Sequence, residues 1–148
     1  MTERSPVQVA ALFVGIVFLL VGILGFVPGI TTNLYSGLDF AGHMGDAKLL
    51  GLFQVSILHN IVHLLFGIAG IALAKTFSGA RTYLIGGGLI YLVLWIYGLV
   101  VDMGSDANFV PVNSADNWLH FLLGATMVVL GLALGRATYR STVAPSGA

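Results

Sequence analysis

The stretch PVQVAALFVGIVFLLVGILGFV, residues 6–27, contains no charged side chain. A helix rises 1.5 Å per residue, so a run of about 20 apolar residues crosses the ~30 Å hydrocarbon core of a bilayer. Three further apolar stretches follow at residues 49–74, 83–101 and 117–134. Backbone polar groups in hydrocarbon must bond within their own segment, which favours helices. The sequence therefore predicts an all-α fold of one domain, a membrane-embedded up-down four-helix bundle.

The composition of the chain supports a membrane protein. Of its 148 residues, 57% are hydrophobic and 8% are charged, whereas a soluble domain carries roughly 25% charged residues. The net charge is zero, so a nucleic-acid partner has no electrostatic support. The first apolar stretch is longer than the roughly 7–15 residues of a signal-peptide core. We therefore expect it to be retained as a span, with the lipid bilayer as its surroundings.

Basic residues indicate how the spans are oriented, because lysine and arginine accumulate on the cytoplasmic side of a membrane. On one side of the membrane, the four predicted spans place a single basic residue, Lys48. The other side carries Arg4, Lys75, Arg81, Arg136 and Arg140. Both termini, the 75–82 connection and the tail at 136–148 are therefore predicted to be cytoplasmic. The outer loops, 28–48 and 102–116, are predicted to pack over the bundle, and residues 141–148 to be disordered.

A short pattern occurs in two of the four stretches. NIVHLLFG at 60–67 matches NWLHFLLG at 117–124, with an offset of 57 residues. Both segments enter the bilayer from the outside, so the two halves of the chain would be parallel repeats related by an axis along the membrane normal. The match favours a duplicated helical hairpin.

Three histidines within the spans form the candidate site. His59 and His63 are one turn apart and share a helix face, and His120 lies at a similar depth in the fourth span. Ionisable residues within spans usually face the bundle interior or a cavity. We expect the three rings to converge in the outer half of the bundle. Neighbouring polar residues are predicted to complete this cluster: Ser56, Asn60, Asn117, Tyr91 and Trp95.

Four interpretations of this cluster remain open. A divalent metal would be bound by His59, His63 and His120, with Asp116 as a fourth ligand or an outer partner. A b-type haem would take His63 and His120 as axial ligands. A proton relay or a small-ligand site would use the same imidazoles. The simplest alternative is a hydrogen-bonded polar plug that joins the helices.

Three segments of the sequence carry a family resemblance. They are PVQVAALFVGIVFLLVGILGFVPGIT from Pro6, KLLGLFQVSILHNIVHLLFG from Lys48 and NFVPVNSADNWLHFLLG from Asn108. Over about residues 6–135 the chain resembles a bacterial, largely actinobacterial, four-helix membrane domain family of unknown function. The resemblance implies a location in the bacterial plasma membrane and a four-span fold. It implies no activity, because the family has none to transfer.

The sequence contains no phosphate-binding loop and no nucleophile–base motif, so it makes no positive case for an enzyme. The leading hypothesis is a small integral membrane protein that serves as a structural or accessory subunit. It would belong to a larger membrane assembly or self-associate through its glycine-rich helix faces. The alternative is a metal- or haem-binding membrane protein that uses the histidines.

Overall fold

The computed structural model describes residues 3–143 of the chain, and the side chains of residues 3–136. The described chain is 65% helical. Three of its helices are long and apolar enough to cross a membrane, and α3 is a shorter apolar helix of 17 residues. In chain order the elements are α1 (Pro6–Leu24), β1 (Thr31–Thr32), α2 (Leu34–Gly37), β2 (Lys48–Leu49), β3 (Phe53–Gln54), α3 (Ile57–Leu73), α4 (Phe77–Val100) and α5 (Ser114–Val143).

Helices α1 and α3 pack together at a crossing of small residues. A Cβ atom added to Gly15 would lie 2.8 Å from the backbone nitrogen of Ile71 and 3.0 Å from the Cα of Gly70. One turn away, a Cβ atom on Gly67 would lie 2.6 Å from the backbone nitrogen of Leu19. Glycines at such a crossing let two helix backbones approach closely. Any larger residue at these positions would push the two helices apart.

Helices α4 and α5 form a second pair of the same kind. A Cβ atom on Gly88 would lie 2.8 Å from the carbonyl oxygen of Gly124, and one on Gly124 would lie 2.9 Å from the nitrogen of Leu92. Near the start of α4, the side chain of Arg81 covers Gly135. Contacts therefore run forward along α4 and backward along α5, so the two helices are antiparallel.

The two helix pairs meet along a shared core. The rings of Phe18 in α1 and Tyr91 in α4 lie 5.1 Å apart between their centroids. The hydroxyl of Tyr83 donates a hydrogen bond of 3.1 Å to the carbonyl of Phe66 in α3. At the turn between α3 and α4, the side-chain amide of Gln8 donates to the carbonyls of Ala74 and Lys75. These bonds tie α1 and α4 to α3.

The segment before α3 differs from the prediction of a helix over 49–74. The chain forms an antiparallel hairpin there, with β2 paired to β3, and β1 adds a third strand on the other side of β2. Leu50 and Gly51 form the turn and have φ angles of 55° and 70°, a left-handed conformation that a continuous helix does not allow. The purely α prediction is therefore wrong for this segment.

Helix α3 begins only where its first turn is capped. The hydroxyl of Ser56 accepts a hydrogen bond of 3.1 Å from the backbone nitrogen of His59. The backbone nitrogens of Ile57 and Leu58, the first two residues of the helix, donate to the carbonyls of residues 39 and 40 in the preceding loop. The first turn of a helix always needs partners of this kind. Here a loop supplies them from a distance along the sequence.

We use the term outer cap for residues 25–56 and 101–113. Its two halves are joined by a hydrogen bond of 2.9 Å from the backbone nitrogen of Gly42 to the carbonyl of Phe109. The outer cap contains the three strands and the short helix α2.

Two other boundaries differ from the predicted ones. Helix α4 starts at Phe77 rather than residue 83, because Thr76 caps it by accepting from the backbone nitrogen of Gly79 at 3.1 Å. The connection from α3 to α4 is therefore residues 74–76 rather than 75–82. Helix α5 continues to Val143, beyond the predicted end at 134. The prediction of disorder for residues 141–148 is therefore wrong for 141–143, which are helical, and residues 144–148 lie outside the described residues.

Candidate functional site

The imidazole rings of the three span histidines lie close together. The ring centroid of His59 is 4.5 Å from that of His63 and 6.4 Å from that of His120. His59 and His63 are neighbours because they are one turn apart in α3, whereas α5 supplies His120. All three side chains are at least nine-tenths buried. We call these three side chains the imidazole group.

Two aromatic rings pack against the imidazole group. Tyr91 lies 5.3 Å from His120 and 6.4 Å from His63, measured between ring centroids. Phe18 lies 5.5 Å from His63. Helices α1, α4 and α5 therefore each contribute one ring, Phe18, Tyr91 and His120, that packs near the two histidines of α3. Tyr91 was a predicted member, but Phe18 was missed because an apolar residue in a span gives no signal of its own.

The backbone of α3 holds His63 in position. Its Nδ1 atom lies 3.0 Å from the carbonyl oxygen of His59. A carbonyl oxygen only accepts hydrogen bonds, so Nδ1 carries the hydrogen and donates it. In the neutral ring, Nε2 then keeps its lone pair. The tautomer of His63 is thus assigned from its hydrogen-bond partner.

Some buried polar atoms have no hydrogen-bond partner within the described part of the chain. Leaving a buried donor or acceptor unpaired costs about 1–3 kcal/mol, so each of these atoms needs an explanation. They are His59 Nδ1, Asn60 Nδ2, Trp95 Nε1, Asn117 Oδ1 and His120 Nδ1. Two of the five belong to the imidazole group.

The other three unpaired atoms have different surroundings. The amide of Asn60 lies against Gly25 at the end of α1, and the amide of Asn117 lies against Gly98 in α4. The indole of Trp95 packs on Phe121, with ring centroids 4.7 Å apart. These predicted cluster members therefore contribute to the contacts within each helix pair.

The carboxylate of Asp116 serves the start of α5. Its Oδ2 atom accepts hydrogen bonds of 3.0 Å from the backbone nitrogens of Asn113 and Gln54. The side chain of Asn113 accepts in return from the backbone nitrogen of Asp116 at 3.0 Å, which is the reciprocal arrangement of a capping box. Asp116 is 2% exposed. Asp116 thus joins β3 to α5, while Asn113 caps α5 as Ser56 caps α3.

Residues 8–133 match the model of a protein family described as Domain of unknown function (DUF4383). The chain belongs to this family. The match includes nearly all of α1, the outer cap, α3, α4 and the whole imidazole group, and it confirms the resemblance to a domain family of unknown function. No curated protein matches the chain. No solved structure matches it either.

The predicted metal site gains no support from the geometry of this DUF4383 domain. Among residues with described side chains, no group of three or more His, Cys, Asp or Glu side chains is arranged to hold a metal ion. This holds for His59, His63, His120 and Asp116, whose side chains are all described. Two of the four already have partners, since the carboxylate of Asp116 and Nδ1 of His63 both bond to the backbone.

The predicted haem ligation by His63 and His120 does not fit the observed packing. The ring of Tyr91 lies against both imidazoles, and the ring of Phe18 lies against His63 and Tyr91. These side chains are buried and in mutual contact. A porphyrin placed between the two histidines would have to displace Tyr91.

The capping residues could have been recognised from the sequence. A polar residue followed three positions later by an acidic one, directly before an apolar run, is typical of a helix start. The pair Asn113 and Asp116 has this spacing, as a variant of the usual Ser/Thr and Glu/Gln pair. This pattern identifies Asp116 as a capping residue, whereas the sequence interpretation assigned it to the metal site.

Proposed function

We propose that this chain is an integral protein of the bacterial plasma membrane that acts as a rigid accessory subunit of a larger membrane assembly. The observation that carries the proposal is that polar side chains in and beside the spans form hydrogen bonds that hold the helices together. Gln8, Tyr83 and Asp116 each form hydrogen bonds to main-chain atoms outside their own helix. Bonds between helices fix their relative positions. Such bracing suits a structural role.

The first part of the proposal is that four helices span the bilayer. The 17 residues of α3 rise about 26 Å, slightly less than the ~30 Å hydrocarbon core. The deficit is small enough for local thinning of the bilayer. The backbone donors of the first turn of α3 are paired with the hydroxyl of Ser56 and with loop carbonyls. This start of α3 can therefore lie close to the hydrocarbon without unpaired donors.

The second part is that the bundle consists of two related hairpins. A shift of 57 residues takes His63 to His120, and a shift of 73 takes Phe18 to Tyr91. The ring contact between Phe18 and His63 measures 5.5 Å, and the equivalent contact between Tyr91 and His120 measures 5.3 Å. The same pairing of an aromatic ring with an imidazole thus occurs in each half.

Backbone contacts repeat with the same two shifts. Gly15 approaches the nitrogen of Ile71 to 2.8 Å, and its counterpart Gly88 approaches the nitrogen of Val128 to 2.9 Å, measured from an added Cβ. The caps repeat as well, because Ser56 corresponds to Asn113. These matched contacts support parallel repeats around an axis along the membrane normal.

The orientation can be tested with single cysteines, because the chain has none of its own. Ser78 and Asp106 are both exposed; Ser78 lies in the first turn of α4, and Asp106 lies in the outer cap beyond the other end of that helix. We expect a membrane-impermeant maleimide to label Asp106→Cys in intact cells and Ser78→Cys only after permeabilisation, because basic residues favour the cytoplasmic side. The reverse pattern would invert the orientation. Equal labelling of both in intact cells would contradict the proposed crossing of α4.

The outer cap is the surface that we assign to the partner subunit. Phe40 is 66% exposed and Met44 is 79% exposed, although both lie outside the long helices. The hydrogen bond from Gly42 to Phe109 holds the segment between them in place. Large apolar side chains exposed beyond the hydrocarbon are typical of an interaction surface.

We expect the wild-type chain, purified from its native membrane in mild detergent, to be found by native mass spectrometry in a complex of fixed stoichiometry that exceeds its own 15.6 kDa. Phe40→Ala should raise the dissociation constant of the complex about tenfold, as removal of a central interface residue does. Phe13→Ala is the matched control, because Phe13 is 68% exposed and lies on α1. It should leave the complex intact.

Two results would contradict the accessory role. One is a wild-type chain that is found only as the free monomer in native membranes and in mild detergent. The other is a Soret band, or a stoichiometric metal that His63→Ala removes, because either would favour the cofactor-binding alternative. Loss of the complex in Phe13→Ala but not in Phe40→Ala would move the interface from the outer cap to the lipid-facing side of α1.

A further inference from the structure

Two of the unpaired buried atoms belong to neighbouring rings on different helices. They are Nδ1 of His59 in α3 and Nδ1 of His120 in α5. The two ring centroids are 6.4 Å apart, and the side chains are 9% and 3% exposed. Buried polar atoms in proteins are almost always paired with protein groups or with small bound molecules. Because the two rings are neighbours, one small molecule placed between them is the simplest partner for both atoms.

The separation of the rings limits the size of that partner. One oxygen or nitrogen atom at a hydrogen-bond distance of about 2.9 Å from both Nδ1 atoms is compatible with centroids 6.4 Å apart. A larger molecule would meet His63, 4.5 Å from His59, and Tyr91, 5.3 Å from His120. These neighbouring rings favour a ligand of the size of a single water molecule.

The charges around the site limit the chemistry of the ligand. The described basic side chains are all exposed: Arg4, Lys48, Lys75, Arg81 and Arg136. A buried anion would thus have no positive partner here. The nearby carboxylate, Asp116, is already bonded to two backbone nitrogens. A neutral imidazole presents either an N–H group or a lone pair at Nδ1. A neutral ligand that both donates and accepts hydrogen bonds matches both possibilities.

We propose that His59 and His120 together bind one neutral, water-sized molecule that donates and accepts hydrogen bonds, a class that comprises water and ammonia. His63 and Tyr91 form the walls of the site. The bound molecule bridges α3 and α5, so it joins the two hairpins of the bundle. The inference goes beyond the accessory role, because it concerns a ligand inside the bundle rather than a partner on the outer cap.

The proposal is tested by NMR on the full ¹⁵N-labelled chain in lipid nanodiscs. Long-range ¹H–¹⁵N correlation assigns the protonated nitrogen of each ring, and nuclear Overhauser spectra detect bound water. In water without added ammonium, we expect His63 to be protonated at Nδ1. We expect ring signals of both His59 and His120 to show cross-peaks at the water frequency. Absence of these cross-peaks from both rings of the wild-type chain would overturn the proposal.

Variants show whether one molecule serves both rings. His120→Leu should remove the water cross-peak of His59, whereas His120→Asn should keep it, because the amide lies about as far from the backbone as Nδ1. His43→Leu, in the outer cap, is the control and should change nothing at His59. A water cross-peak of His59 that persists at full intensity in folded His120→Leu would overturn the shared site. If His120→Leu does not fold, the test rests on the water cross-peaks of the wild-type chain and on their retention in His120→Asn.

Two further measurements identify the ligand. Ammonium chloride is compared with sodium chloride at equal ionic strength and pH. Shifts of the His59 and His120 ring signals in ammonium chloride alone identify ammonia, and unchanged signals with water cross-peaks identify water. Either result supports the proposal. Stoichiometric zinc or copper in the purified chain, lost in His120→Leu, would overturn it. These readouts are independent of whether the outer cap binds a partner.

Discussion

Gly88→Ala is expected to destabilise the folded chain by about 1–3 kcal/mol, the usual cost of overpacking a close contact. The added methyl group would lie 2.8 Å from the carbonyl oxygen of Gly124 and 2.9 Å from the backbone nitrogen of Val128. Both are main-chain atoms of α5, so no side-chain rotation can relieve the contact. The free energy of unfolding is measured by titrating mixed micelles with a denaturing detergent.

Gly86→Ala is the matched control, because it adds the same methyl group to the same helix two residues earlier. No atom lies within 4 Å of a Cβ atom at Gly86. Replacing a glycine inside a helix by alanine should then stabilise the chain by about 0.5–1 kcal/mol. The two substitutions are therefore expected to have opposite signs. Equal effects would contradict the packing of α4 against α5.

Asp116→Ala is expected to destabilise the chain by about 1–3 kcal/mol, because two partly buried backbone donors lose their acceptor. Those donors are the backbone nitrogens of Gln54 and Asn113, both 3.0 Å from Oδ2. The same detergent titration measures the loss. In addition, hydrogen exchange at the amide of Gln54 should become faster, because its bond to α5 is lost.

Two companion variants separate the cap from a general effect of charge. Asp116→Asn keeps one acceptor oxygen in the same place and should lose less stability than Asp116→Ala. Asp106→Ala removes an exposed carboxylate from the outer cap and should change the stability by less than about 0.5 kcal/mol, as surface substitutions do. If Asp106→Ala cost as much as Asp116→Ala, the loss would not come from the cap.

The sequence by itself determined which segments are apolar helices of membrane length. This property is local, because a span depends on the hydropathy of about 20 consecutive residues and on hydrogen bonds within the segment. The helices α1, α4 and α5 follow from it directly. The four-residue spacing of His59 and His63 likewise places both on one face of α3 without any tertiary information. Family membership also follows from the sequence motifs.

Only the tertiary structure decided where α3 begins and which atoms are left unpaired. Residues 49–53 are as apolar as a span, but they form part of a hairpin because β1 pairs with β2, and α3 starts after them where the carbonyls of residues 39 and 40 bond its first amides. Asp116 acts as a cap because the backbone nitrogen of Gln54 lies beside it in space. His120 approaches His59 only because the pair of α4 and α5 packs against the pair of α1 and α3. In each case the deciding partner is distant in sequence, and hydropathy and spacing report only on near neighbours.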